Sequence, residues 1–191
     1  WYVLEAEEGS GLYVGLKEDS SREEIEEALK NGTILSKLNF FPVKKGEVYF
    51  IQSGTIHAIG KGVTVIEIQQ NSNLTYRLYD YNRLGKDGKP RELHIEKALN
   101  VINYHKYSPV HFDNDIIGTC KYFTSRYQKV DHTIELEAPS TSFLSLTFLD
   151  GEGMINDLPY KKFDTFFLPS TKKATIKGTG SYIITSIDHR Y

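Results

Sequence analysis

Two segments of the chain repeat their hydrophobic residues with the period of an α-helix. In the first, Ser21 and Glu24 have the spacing of a capping box, and the apolar residues at 25, 28 and 29 then share one face. Asn31-Gly32 is a typical helix end. The second helix is predicted after Pro90, where apolar residues follow at positions 95, 98, 99 and 102.

The remaining apolar residues lie in short runs separated by turn residues, a pattern typical of β-strands. Trp1–Leu16 predicts a hairpin, and the branched run Val63–Ile68 predicts a single strand. The strand-and-turn pattern resumes after the second helix and continues to the end of the chain. We therefore predict a mainly β protein with short helices, built as two sandwich or barrel units. The first unit is expected at 1–90, a helix and linker at 91–115, and the second unit at 116–191.

Composition narrows the class of partner. The 23 basic and 25 acidic residues give a net charge of −2, which argues against a nucleic-acid surface and against a polybasic membrane surface. No apolar run approaches the ~20 residues of a membrane span. The first residues do not resemble a signal peptide, and the single cysteine, Cys120, fits a reducing compartment. We expect a cytoplasmic protein; the sequence does not indicate its oligomeric state.

One ten-residue segment is repeated within the chain. Residues 44–53 (KKGEVYFIQS) align with residues 161–170 (KKFDTFFLPS) at a constant offset. Two lysines, a phenylalanine and a serine are identical, and three further pairs are chemically similar. We interpret the match as a duplicated strand-turn-strand segment, which supports two related units.

The first copy of this segment continues to a histidine. Gly46 is followed by a predicted strand over 47–51, a tight turn at Ser53-Gly54, and then His57. Neutral imidazole is a common ligand of zinc and related ions. A lone histidine in a strand is also consistent with a purely structural, hydrogen-bonded role. The spacing favours the metal, because it resembles the second signature motif of the cupin superfamily, with Gln52 where proline is usual.

Three longer strings carry a more specific resemblance, namely 62–72 (GVTVIEIQQNS), 75–83 (TYRLYDYNR) and 90–94 (PRELH). Together with SGTIHA at 53–58, they resemble type I mannose-6-phosphate isomerases of the short bacterial kind. The resemblance implies two cupin-type jelly-roll units, the first incomplete. It also implies interconversion of mannose 6-phosphate and fructose 6-phosphate, with zinc as the metal cofactor and a small sugar phosphate as the partner.

The resemblance also assigns roles to individual residues. It implies that His57 is a metal ligand and that Arg77 is the catalytic arginine. Spacing alone would equally allow Arg77 to pair with Asp80 or Glu67. Glu67 and Asn71 are candidates for supporting the site. Glu67 either points into the pocket, where it would orient His57 or Arg77, or points outward. Asn71 is as consistent with shaping the turn before Arg77 as with touching the substrate.

Two departures from the family limit these expectations. In the second unit, Ala174 stands where His57 stands in the first, so this unit is expected to bind no metal. The family's other metal ligands and its phosphate-binding residues precede the position of Trp1. We therefore expect the chain to be the C-terminal portion of the enzyme, inactive alone and weak in metal affinity. The alternative is a non-catalytic cupin that binds a sugar or serves as a regulatory module.

Overall fold

The first helix forms where its local sequence directs it. In the computed structural model, which describes residues 1–81 and 83–187, α1 spans Arg22–Lys30. The Ser21 side chain accepts a hydrogen bond from the Glu24 N–H, and the Glu24 carboxylate accepts one from the Ser21 N–H. The predicted capping box is therefore confirmed. Ile25 and Ala28 bury the apolar face of the helix.

Residues 1–109 form the first of two compact units. Besides α1, its helices are α2 (Ile34–Lys37) and α3 (Ile95–Leu99). Its strands are β1 (Tyr2–Ala6), β2 (Gly11–Leu16), β3 (Leu38–Pro42), β4 (His57–Ile59) and β5 (Val63–Ile66). The helix predicted after Pro90 is thus present as α3, although it ends at Leu99.

The strands of this unit form two small antiparallel sheets. β1 pairs with β5, while β2 lies between β3 and β4. The hairpin predicted over Trp1–Leu16 is therefore wrong, because its two strands join different sheets. Burial explains the position of β2: Leu12 and Val14 are fully buried, as suits a central strand.

Residues 110–191 form the second unit, which is described up to residue 187. Its strands are β6 (Ile116–Thr119), β7 (Thr124–Val130), β8 (Ile134–Glu137), β9 (Leu144–Ile155), β10 (Leu158–Lys161), β11 (Thr165–Leu168) and β12 (Lys173–Ser186). They form one antiparallel sheet in the order β10-β9-β12-β7-β6, with β11 also on β9 and β8 also on β12. Its core gathers around Phe148, whose ring stacks on Tyr160 at 3.8 Å between centroids.

The predicted mainly β class with short helices is confirmed. Within the described residues the sheets remain open, so they do not close into complete barrels. None of the helices in this part of the chain is long and apolar enough to cross a membrane.

Candidate functional site

The segment that leads to His57 runs beside β1 without forming a regular strand. Gly46 donates its N–H to the Val3 carbonyl at 2.8 Å, and the Val3 N–H donates to the Glu47 carbonyl at 2.9 Å. Further along, the Tyr49 N–H donates to the Trp1 carbonyl at 2.9 Å. The strand predicted over 47–51 is therefore replaced by these bonds and a single bridge between Tyr2 and Val48.

His57 is the first residue of β4 and lies opposite Val14 on β2. Its Nδ1 lies 2.7 Å from the Thr55 carbonyl oxygen. Because a carbonyl can only accept, this contact requires a proton on Nδ1, and in the neutral ring Nε2 then carries the lone pair. The side chain is exposed, and its ring meets the edge of the Trp1 ring at 5.2 Å between centroids. The tautomer and the exposure suit a histidine that binds a metal through Nε2.

Glu67 lies close to this region. In the pairing of β1 with β5, Tyr2 is opposite Ile66, so Glu67 follows beside Trp1. The Glu67 side chain is exposed. Trp1 is thus a common neighbour of His57 and Glu67. Asn71 is an exposed residue in the bend that follows, and its role stays a prediction.

Arg77 is held by the segment that returns after the turn at 85–88. Its Nη1 donates to the Glu92 carbonyl oxygen at 2.9 Å, and its backbone N–H donates to the His94 Nδ1 at 3.1 Å. The His94 N–H donates in turn to the Arg77 carbonyl at 2.8 Å. The Arg77 side chain is 29% exposed, so its guanidinium is partly shielded from water yet accessible to a ligand.

Asp80 is the charged partner in this part of the chain. Its buried carboxylate accepts hydrogen bonds from Arg91 and, at 3.1 Å, from Arg83. The bond from Arg91 lowers the pKa of Asp80, with Arg83 adding to the effect and burial opposing it. Arg77 Nε lies 3.9 Å from the same carboxylate, a longer contact than those of the other two arginines. The alternative pairing of Arg77 with Asp80 is therefore present, but only as a weak ion pair.

The described residues contain no group of three or more His, Cys, Asp or Glu side chains able to hold a metal ion. His57 accordingly has a suitable tautomer, but the ligands that would complete a site are not found beside it within that part of the chain.

The spacing of residues along the sequence did not identify His94 and Glu92 as partners of Arg77. The turn at Gly85–Gly88 was the available signal, since it returns the chain alongside residues 77–84.

Backbone geometry supports the internal repeat. Gly46 and its counterpart Phe163 both have positive φ, at 92° and 74°, and Gly54 and its counterpart Thr171 both do, at 86° and 64°. The turn hydrogen bonds also match. The bond from Glu47 N–H to the residue 44 carbonyl corresponds to one from residue 164 to residue 161, and the bond from residue 55 to 52 corresponds to one from 172 to 169. Both segments therefore contain the same two turns, and each unit contains one of the segments.

No protein-family model matches the chain. A mannose-6-phosphate isomerase of Streptococcus mutans is 31% identical over 186 residues, covering 91% of this chain and 58% of that protein. Mannose-6-phosphate isomerase ManA of Bacillus subtilis is 34% identical over 182 residues, covering 88% and 57%.

Among solved structures, a mannose 6-phosphate isomerase from Bacillus subtilis aligns with a TM-score of 0.86 at 32% identity. The alignment covers 97% of this chain and 63% of that one, which confirms the mainly β, cupin-type fold class. This chain spans about three fifths of the length of the relatives it matches. Over nearly all of its own length, the chain is therefore a homologue of the mannose-6-phosphate isomerases.

Proposed function

We propose that the complete gene product is an isomerase that interconverts mannose 6-phosphate and fructose 6-phosphate. The observation that carries this proposal is the burial and hydrogen bonding of the Arg77 guanidinium, in a chain that is homologous to such isomerases. Its guanidinium is partly buried and anchored through one N–H to the Glu92 carbonyl, with only a long contact to Asp80. Within the described residues, most of its five donors are therefore left for the oxygens of a substrate.

The reaction explains why an arginine is needed. Moving a proton between C1 and C2 of a sugar phosphate passes through an enediol or enediolate, which gathers negative charge on two adjacent oxygens. A guanidinium stays charged at every relevant pH and can donate to two neighbouring oxygens at once. Arg77, already fixed by its backbone and side chain, can stabilise this charge without reorganising.

We further propose that His57 is one ligand of a divalent cation, with zinc as the expected ion. The hydrogen bond from Nδ1 to the Thr55 carbonyl fixes the ring and leaves Nε2 free, as a metal-binding histidine requires. When bound, such a cation supplies Lewis-acid stabilisation of developing negative charge. We assign Glu67 a supporting role beside His57, near the shared neighbour Trp1, and Asn71 a similar role before Arg77.

The same reasoning extends to the chain as a whole. A catalytic zinc site needs about three protein ligands, so we expect the 191 residues alone to bind zinc weakly and to show no turnover. We propose that residues 1–90 carry the metal-bearing part, that 91–115, of which 91–109 belong to the first compact unit, lead on to 116–191, and that residues 116–191 bind no metal. A cytoplasmic enzyme acting on a small sugar phosphate, without nucleic acid or membrane as partner, is consistent with the charge balance and the single cysteine.

The test compares Arg77→Ala with Arg83→Ala in the complete gene product, assayed with mannose 6-phosphate. Both arginines contact Asp80, but the Arg83 side chain is 63% exposed. We expect Arg77→Ala to lower kcat by about 100-fold or more, as loss of a transition-state donor does, and Arg83→Ala to change it by less than about threefold.

Metal content provides a second measurement on the same proteins. We expect about one zinc per chain in the wild type and a large loss in His57→Ala. Near-normal activity in Arg77→Ala would contradict the role of Arg77. An inactive wild type that still binds the sugar phosphate would favour a non-catalytic sugar-binding module instead.

A further inference from the structure

His94 makes a contact with Arg77 that the proposed reaction does not yet explain. The Arg77 N–H donates to the His94 Nδ1 at 3.1 Å, while the His94 N–H donates to the Arg77 carbonyl at 2.8 Å. Both polar groups of the Arg77 backbone are therefore bonded to the same residue. Neither residue belongs to a regular strand or helix, so no ladder of neighbouring hydrogen bonds supports this pair.

The direction of the first bond fixes the state of the imidazole. An N–H donor requires Nδ1 to carry a lone pair, so the proton of the neutral ring is on Nε2. This is the opposite tautomer from that of His57. His94 Nε2 lies 4.0 Å from the Glu92 carboxylate, and the centroids of the His94 and Tyr76 rings are 6.2 Å apart. The His94 side chain is partly enclosed, with 25% of its surface exposed.

The segment that carries His94 also holds the far end of the arginine. The Glu92 carbonyl, two residues earlier, accepts from Arg77 Nη1 at 2.9 Å. Residues 92–94 therefore form hydrogen bonds with both the backbone and the guanidinium of Arg77, and we call this segment the 92–94 bracket. Because both ends of Arg77 are fixed to one short segment, the direction of the guanidinium depends on that segment.

The bracket is in turn attached to the core of the first unit. The His94 carbonyl accepts the Ala98 N–H at 2.9 Å, in the first turn of α3. Ala98 and Leu99 are buried, and Leu99 packs in the cluster around Ile25. Hydrogen bonds and packing contacts therefore connect the core, through α3 and the bracket, to Arg77.

We propose that His94 is a positioning residue for Arg77, through the acceptor at Nδ1. This inference rests on the proposed function, because it presumes that Arg77 stabilises the transition state. A catalytic donor must be held within about 0.5 Å of its productive position, and the Nδ1 contact supplies one of the restraints that hold it.

The test uses two substitutions that differ in where the acceptor lies. In His94→Asn, the side-chain carbonyl can occupy the position of Nδ1 and accept from Arg77. In His94→Gln, the carbonyl reaches the position of Nε2 instead. In the complete gene product with mannose 6-phosphate, we expect kcat to fall about tenfold or more in His94→Gln and His94→Ala, with KM changed by less than about threefold. His94→Asn should retain kcat within about threefold. Equal losses in all three variants would overturn the inference.

A double-mutant cycle separates positioning from an independent effect. If His94 acts through Arg77, His94→Ala should lower kcat no further once Arg77 is already alanine. The same loss factor in both backgrounds would overturn the inference.

A spectroscopic measurement distinguishes failure of this inference from failure of the proposed function. Histidine ¹⁵N spectra of the complete gene product should show His94 with an unprotonated Nδ1. The hydrogen bond of the Arg77 amide proton, seen as a change in that proton's chemical shift, should be kept in His94→Asn and lost in His94→Gln. A protonated Nδ1 in an active enzyme would overturn the role of His94 alone. An inactive wild type with the expected spectrum would overturn the proposed function, and with it the catalytic purpose of the contact.

Discussion

Gly54 offers the sharpest test of the local structure before His57. Its φ of 86° lies in the left-handed region, and a Cβ added there would meet the Val101 carbonyl oxygen at 2.6 Å and the Asn103 nitrogen at 3.3 Å. The Gly54 carbonyl also accepts the Asn103 N–H at 2.8 Å. In Gly54→Ala, the segment at 101–103 would therefore have to move away from the turn that precedes His57.

Gly32 provides a matched control, because it has a positive φ of 69° but open space where the Cβ would lie. The left-handed conformation costs a residue with a Cβ about 1–2 kcal/mol, partly offset by about 0.4–1 kcal/mol from the less flexible unfolded chain. Both variants share these terms, which leave about 1 kcal/mol of destabilisation for Gly32→Ala. Relieving a backbone clash adds about 1–3 kcal/mol for Gly54→Ala alone.

Thermal unfolding of the purified chain, followed by tryptophan fluorescence, measures the difference. Trp1 is the only tryptophan and lies in the first unit, with its ring against His57, so the signal reports on that unit. At roughly 4 °C or more per kcal/mol for a unit of this size, Gly54→Ala should unfold at least about 4 °C below Gly32→Ala. Equal midpoints for the two variants would refute the close approach of 101–103 to Gly54.

Three further predictions concern other parts of the chain. Ser21→Ala removes the capping box of α1 and should lower the free energy of unfolding by about 1 kcal/mol in urea titrations; an unchanged midpoint would contradict the cap. In Asp80→Asn, the wild-type advantage should be full above the ordinary carboxyl pKa and should disappear as pH falls through the lowered pKa of Asp80, because the ion pair with Arg91 stabilises only the charged form. Urea midpoints of both proteins, measured stepwise from about pH 6 into acid, follow this loss, and a difference that does not shrink as the pH falls would contradict it. Thr171 is a branched residue with a φ of 64°, so Thr171→Gly should remove backbone strain and raise the free energy of unfolding of the second unit by up to about 1 kcal/mol. Calorimetry measures this as a higher unfolding midpoint, and a lower midpoint would contradict strain at this turn.

The elements that the sequence predicted well are those whose causes are local. α1 begins at a cap and ends at Asn31 because the four or five residues at each end supply the needed bonds. The turns at Gly46 and Gly54 are also local, since glycine adopts positive φ readily. The repeat could be recognised for the same reason, although Phe163 and Thr171 adopt the glycine-like conformation without being glycine.

The parts that the sequence did not predict depend on contacts between distant segments. The apolar pattern of Trp1–Leu16 identifies two strands but not their partners, which come from β3, β4 and β5. Arg77 and His94 are likewise separated by a loop whose length does not fix their register. Strand existence is encoded by alternation within a segment, whereas pairing depends on which buried faces fit together in the whole unit.

The contrast between His57 and Ala174 follows from what surrounds the same turn in each unit. Both residues come just after a left-handed turn residue and pair with a neighbouring strand, His57 with Val14 and Ala174 with Leu136. In the first unit this position is exposed, so an imidazole there keeps its lone pair accessible. In the second it is 1% exposed and belongs to the apolar core, where an unpaired imidazole would be desolvated at a cost of roughly 1–3 kcal/mol or more. The same backbone turn therefore precedes an exposed residue in the first unit, the proposed ligand His57, and a residue of the apolar core in the second.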